Sequence, residues 1–213
     1  NRVEYSKKTA IHLAQPGIKR NKMPADQFKR VIEKYIPAAS VNQVVELFRS
    51  EPIQLKIQRA RKSKFGDYRS PRGTHGHRIS INADLNPYAF LITLIHEFAH
   101  YLVYLDHKHK VKPHGVQWKI AFMNVMNPFL NEKVFPQDIL KELTKHMRNP
   151  KASSCSDPGL FAVLKKYDNK DVLHLRDINT GEVFKLGKRV FQKGEKLRTR
   201  YKCLDLQKEK YYL

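Results

Sequence analysis

Five consecutive residues, His96-Glu97-Phe98-Ala99-His100, carry the clearest chemistry in this chain. On a helix, side chains four positions apart lie on one face, with Cβ atoms ~5–6 Å apart. Both imidazoles can then reach a single Zn²⁺ at ~2.0–2.1 Å. Glu97 follows the first histidine and is placed to meet a water on the metal rather than the metal itself. Zinc lowers the pKa of such a water toward ~7, and a carboxylate beside it can act as general base. Two ligands and a base within about one turn are what peptide hydrolysis by a zinc-activated water requires. Ile92, Leu94, Ile95, Phe98 and Ala99 make the surrounding segment apolar almost all round, so the helix is expected to be central. Polar groups inside such a helix cost desolvation unless something binds them.

A hydrolytic zinc needs a third protein ligand and an open fourth position. No glutamate occurs between Glu97 and Glu132, which leaves Asp106, His107, His109 and His114 as candidates. His107 and His109 sit among Asp106, Lys108, Lys110 and Lys112 and read as solvated loop residues. His114 precedes Gly115 and a segment carrying Trp118 and Phe122. It therefore starts a rigid element, as a ligand should, and is the preferred third ligand.

The elements that must position these groups follow from period and punctuation. After Pro24, the residues Phe28, Val31, Ile32, Tyr35 and Ile36 recur at helical spacing until Pro37. A second helix is expected after Ser40, with Val41, Val44, Val45 and Phe48 on one face. The alternating runs 53–58 and 77–82 read as strands of one sheet, with turn signals at Gly66-Asp67 and Pro71-Arg72-Gly73. Asn86 is a good cap and Pro87 a good first residue for the long helix from about Tyr88 to Asp106. Further helices are expected from Gly115 to about Met126 and over 137–147. Residues 149–158 form a poorly hydrophobic connector. Beyond it Phe161-Ala162-Val163-Leu164, Val172-Leu173-His174-Leu175, Val183-Phe184 and Arg198 to Leu204 suggest a small antiparallel β unit. Asp168-Asn169 and Asn179-Thr180-Gly181 supply its turns.

The bulk composition narrows the class. Of the 213 residues, 41% are hydrophobic, enough for one core with a small appendage. No apolar run approaches the ~20 residues of a membrane span, and no apolar signal region follows the basic start. Only Cys155 and Cys203 occur, too few for a disulfide scaffold, so a cytosolic protein with free thiols is expected. Lys and Arg number 41 against 20 Asp and Glu, a formal net charge of +21. Such an excess concentrates polyanions around a small protein, with nucleic acid first and an anionic membrane surface second.

Several of these segments together resemble the SprT-like family of zinc metallopeptidases, which includes the Spartan-related DNA–protein crosslink proteases. They are Arg69-Ser70-Pro71, His77-Arg78-Ile79-Ser80-Ile81-Asn82, Leu85-Asn86-Pro87-Tyr88, the HExxH itself, and His114-Gly115-Val116-Gln117-Trp118-Lys119. The resemblance covers roughly residues 25 to 130 and independently selects His114. It implies a compact α+β metallopeptidase core, zincin-like, with one catalytic Zn²⁺ on His96, His100 and His114 and with Glu97 as general base. It also implies DNA-stimulated cleavage of proteins bound or crosslinked to DNA, without sequence preference. Bacterial relatives often carry a C-terminal zinc ribbon with paired Cys-x-x-Cys elements. Here Leu206 occupies the place of a partner to Cys203, so the tail resembles a ribbon-like unit without a second zinc. A site of Cys155, Cys203 and His174 is disfavoured by its ligand spacing.

The expected organisation is an N-terminal segment 1–24, a metallopeptidase domain 25–148, a connector 149–158 and a basic β unit 159–213. DNA contacts are expected from two basic runs. The first comprises Arg59, Arg61, Lys62 and Lys64, beside Lys56 and ahead of Arg69 and Arg72. The second comprises Lys185, Lys188, Arg189, Lys193, Lys196, Arg198, Arg200 and Lys202, interleaved with Phe184, Phe191 and Tyr201. Positive charge suffices for phosphate, and aromatics beside it can stack on unpaired bases, so single-stranded DNA is a natural ligand. A cytoplasmic, nucleoid- or DNA-associated location follows, with no membrane partner. Two other readings remain open: a DNA-binding module with a non-catalytic zinc, and a general cytosolic metallopeptidase indifferent to DNA. Arg78, Tyr101 and Tyr104 are undistinguished candidates for stabilising a transition state.

Overall fold

A computed structural model describes residues 24–49, 51–61, 63–152, 157–168, 175–198 and 200–213. The segment 1–23, Lys62, Cys155 and the expected strand residues Val172 to His174 lie outside the described residues. The chain divides into two compact units, one ending at Asp168 and the other beginning at Asn169. Both contribute to an α+β protein with small sheets.

The first unit begins with helices α1 (Ala25–Ile32) and α2 (Val41–Arg49). Helix α1 gives way to turns before Pro37, one turn sooner than its apolar spacing suggests. Strands β1 (Ile53–Gln58), β2 (Gly66–Arg69) and β3 (His77–Asn82) form a sheet of order β1-β3-β2. β1 runs parallel to β3, with Leu55 opposite Ile79, and β2 runs antiparallel, with Tyr68 opposite Ile79. The Gly66-Asp67 pair, expected in a turn, instead opens strand β2.

Helix α3 (Pro87–His107) packs on β2 and β3. The Asn86 side chain accepts the Ala89 amide hydrogen at 2.9 Å, and Pro87 occupies the first turn, where its missing N–H has no cost. At 21 residues α3 is long and apolar enough to cross a membrane by length and composition, contrary to the sequence reading. It is instead the core helix of this unit: Phe90, Leu91, Leu94, Ile95 and Ala99 are fully buried, with Phe98 almost so. Each large side chain of this kind contributes about 1.5–3 kcal/mol of hydrophobic stabilisation.

Helices α4 (Val116–Met126), α5 (Gln137–Met147) and α6 (Pro158–Lys165) complete the unit. The last corrects an expected strand at Phe161 to Leu164. Asp157 caps α6 by accepting the Leu160 amide hydrogen, Pro158 fits the first turn, and the buried pair is Leu160 and Leu164, four apart. A continuous apolar run of five residues satisfies either period, and the Asp-Pro punctuation decides for helix. His146 of α5 bonds the other oxygen of Asp157 at 3.0 Å, and Asn86 donates to the Leu164 carbonyl at 2.9 Å. These bonds tie α6 into the first unit, so the division falls at Asp168 rather than in the 149–158 connector.

The second unit is a four-stranded antiparallel sheet of order β4-β5-β6-β7. Its strands are β4 (Val183–Leu186), β5 (Arg189–Lys196), β6 (Tyr201–Asp205) and β7 (Lys210–Tyr212). One face buries Phe191, Lys193, Cys203 and Asp205. On it Arg189 pairs with fully buried Asp205 and lies 4.8 and 4.3 Å from the Phe191 and Tyr212 ring centres. Lys193 donates to the Ile178 carbonyl and stands over the Tyr201 ring.

Candidate metal centre

Helix α3 sets His96 and His100 one turn apart, and the loop before α4 brings His114 to them. Their Nε2 atoms lie 3.2 Å (His96–His114), 3.2 Å (His96–His100) and 3.0 Å (His100–His114) apart. Burial holds all three rings neutral. His96 is well below its ordinary pKa, His100 is lowered to about 3 by burial with His114 adding to it, and burial also lowers His114. A neutral imidazole nitrogen either donates one hydrogen or accepts one. In a triangle of three such atoms at least two are alike, so the three contacts cannot all be hydrogen bonds. One cation shared by three lone pairs resolves the conflict, and the separations suit an ion ~2.0–2.1 Å from each nitrogen. Among the described residues this is the group of three ligand-type side chains that could hold a metal.

His114 owes its aim to an uncommon backbone. Its φ is +58°, in the left-handed region, which turns its ring back over α3 before Gly115 starts α4. Trp118, one turn further on, is fully buried beneath the site. Its ring centre lies 4.6, 5.5 and 4.7 Å from those of His96, His100 and His114. Its Nε1–H points at the His96 carbonyl at 3.4 Å. The motif His114-Gly115-x-x-Trp118 thus supplies a ligand and the floor beneath all three. His107 and His109 stay outside the cluster.

Glu97 sits on the sheet side of α3, where Oε2 accepts the Tyr68 amide hydrogen at 2.8 Å. Burial pushes its carboxyl up to about 7, against the Tyr68 amide. Asp67 adds to the rise, while Lys64 and Arg61 oppose it. Gly66 is what allows this approach. A Cβ there would stand 2.7 Å from Glu97 Oε1 and 2.7 Å from Thr93 Cγ2. Neither the Tyr68 amide nor Gly66 was visible as a site residue in the sequence. The available signal was a glycine opening a short strand, which marks close approach as well as a turn. We expect Gly66→Ala to displace either β2 or the carboxylate and to cut cleavage by at least about tenfold with little change in bound metal. Parallel kinetics and metal analysis on the purified variant check both halves.

The raised carboxyl has a stability cost in the metal-free protein. A folded pKa of about 7 against the ordinary 4.5 means the buried charge destabilises fully above pH 7 and not at all well below 4.5. Metal-free Glu97→Gln should therefore exceed wild type in stability at pH 8, by on the order of 3 kcal/mol. The gain should shrink steadily toward pH 4.5 in denaturant melts.

The three stabiliser candidates now separate. Tyr101 is 1% exposed and donates to Glu51 at 2.5 Å, so it is a core residue. Arg78 alternates with Ile79 and Ile81, both buried, and so occupies the sheet face away from α3. Tyr104 is half-buried, 6.1 Å from the Tyr68 ring and 5.5 Å from the His77 ring. The Tyr68 hydroxyl in turn meets His77 Nδ1 at 2.8 Å. Burial, with Lys108 assisting, lowers His77 to about 4.

The basic candidates also divide. Arg61 is tied inward, to Asn82 Oδ1 at 2.8 Å, Ser80 Oγ at 3.1 Å, the Ser80 carbonyl at 3.3 Å and the Phe65 carbonyl at 3.4 Å. Arg189 and Lys193 are likewise engaged within the second unit. These three side chains thus have a structural role within the fold in addition to the phosphate contact expected of them. Lys185, Lys188, Lys196, Arg198 and Arg200 are exposed, as is Arg59. Lys202 is half-buried with its ammonium 4.5 Å from the Tyr211 ring centre, and Lys64 pairs with Asp67 at 2.8 Å. Lys62 lies outside the described residues.

An α+β unit that carries two histidines four apart on one helix and converges a third on them has a site that could hold a metal ion. The SprT-like family model matches residues 38–140, so this part of the chain is a SprT-like domain. The SprT-like family is generally one of metallopeptidases. The match takes in the whole site and leaves the β4–β7 unit outside it. No curated protein and no solved structure matches the chain.

Proposed function

We propose that this chain is a zinc-dependent endopeptidase of the HExxH type, with a zincin-like core, that is stimulated by DNA and cleaves proteins bound or crosslinked to it. The observation that carries the reading is the convergence of three neutral imidazole nitrogens within 3.2 Å, one residue from a buried carboxylate. His96, His100 and His114 hold the ion. Zinc supplies, when bound, the Lewis acidity that makes a water nucleophilic at neutral pH. Glu97 takes the proton of the attacking water and returns it to the leaving amine. The Tyr68 amide holds one of its oxygens throughout, which fixes the direction of the other.

The formal net charge of +21 supports DNA as the activating partner, bound without sequence preference, and a location in the cytoplasm on DNA or the nucleoid. No membrane partner is proposed. The test is cleavage of a basic DNA-binding protein with and without single-stranded DNA, in zinc-loaded and chelated enzyme. Cleavage that needs both zinc and DNA supports the reading. Cleavage indifferent to DNA and salt reduces it to a general metallopeptidase, and none in any condition defeats it.

A further inference from the structure

The sheet of the first unit has a second face, turned away from α3. Strand alternation places Gln54, Lys56 and Gln58 of β1, Arg78, Ser80 and Asn82 of β3, and Asp67 and Arg69 of β2 on it. The register sets Gln54, Arg78 and Arg69 in one row, and Lys56, Ser80 and Asp67 in the next. Arg78 and Arg69 are therefore direct cross-strand neighbours, with Cβ atoms about 4.5–5.5 Å apart, and Lys56 is diagonal to Arg78. Like charges directly opposite each other destabilise a sheet. The one acidic residue in the three strands is Asp67, which is already shared between Lys64 at 2.8 Å and Arg69 at 2.7 Å.

Arg78 is half-buried at the centre of this arrangement, and no hydrogen bond or ion pair engages its guanidinium among the described residues. Arg61 covers Ser80 and Asn82 at one end of the face. The row containing Arg78 is left open, flanked by exposed Gln54 and Arg69. A planar guanidinium in such a place fits a phosphodiester oxygen pair.

We propose that this sheet face docks the phosphate backbone of DNA, with Arg78 as the central contact and Arg69 and Lys56 beside it. The inference rests on DNA being the partner, as proposed above, and names the surface. A chain of singly charged phosphates relieves the Arg–Arg repulsion at successive points, and contacts to phosphate alone carry no sequence preference. The face lies on the opposite side of the sheet from the HExxH helix. DNA seated there leaves the metal centre free for protein substrate.

The experiment uses the full chain carrying Glu97→Gln, with a labelled single-stranded oligonucleotide and fluorescence anisotropy over a salt series. Arg78→Gln with Lys56→Gln should reduce the slope of log affinity against log salt by about 1.4, at ~0.7 per phosphate contact. Affinity at low salt should fall by at least about tenfold. Arg78→Lys, which keeps the charge, should restore most of the slope. Unaltered melting temperature and metal content in each variant confirm that the fold is retained. Unchanged slope and affinity in the double variant overturn the sheet-face proposal while leaving DNA binding in place. So does a full loss of slope in Lys185→Gln with Lys188→Gln, which would put the contacts on the β4–β5 turn. A polyglutamate that competes as well as DNA of equal charge overturns the choice of partner. Absence of DNA binding in the parent chain defeats this inference and the DNA part of the functional reading together.

Discussion

Glu97→Gln should lower peptide cleavage by about 10²–10⁴-fold while the protein still binds its metal. The size of the effect comes from the task assigned to the side chain: an amide of nearly the same shape can accept the Tyr68 amide hydrogen but cannot take a proton from water. The environment around the position should be preserved, because its packing against Gly66 and Thr93 depends on shape rather than charge. Metal analysis and cleavage rates on the same preparation are the decisive pair. Retained metal with lost cleavage assigns the base, and cleavage at the wild-type rate removes Glu97 from that role.

Removing His114 should have the second large effect. Losing a side chain that hydrogen-bonds to a zinc ligand already costs ~10–100-fold in affinity, and loss of a ligand exceeds that. Two substitutions separate ligand loss from backbone strain. His114→Gly tolerates the φ of +58°, whereas His114→Ala removes the ring and also strains the backbone. Both should lose metal and activity, and the alanine form should also melt lower. His107→Ala and His109→Ala, which alter side chains outside the cluster, should retain metal. Metal retained at wild-type affinity in the glycine variant would exclude His114 as a ligand.

The clustering of His96, His100 and His114 was legible in the sequence because helical spacing is rigid. Histidines four apart must share a face, and a histidine at the head of a Trp-bearing helix has few places to go. The sheet strands 53–58 and 77–82 were equally plain, since alternation of apolar and polar residues has one structural meaning when one face is buried. The tail was harder to read. In Leu160 to Leu164 every residue is apolar, so the period vanishes and only Asp157-Pro158 marks the helix. The basic residues were harder still. Composition cannot tell Lys193, buried against the Ile178 carbonyl, from Lys185, exposed on the neighbouring strand β4. Nor could any local pattern show that Arg69 and Arg78 face each other, because their pairing is a property of β2 and β3 folded together.

The contact at Gly66 bears on how related chains can be sorted. The HExxH pattern records which atoms are present, but the clearance between strand and helix decides whether the carboxylate can lie where it does. One added carbon at this place would intrude on Glu97 itself. A homologue that keeps both histidines and the glutamate, yet bears a larger residue at the head of this strand, must either have moved the strand or ceased to hold its base. With Glu97 in its proposed role, position 66 becomes a gauge, readable in sequence alone, for separating chains that can seat this carboxylate from chains that retain only the motif.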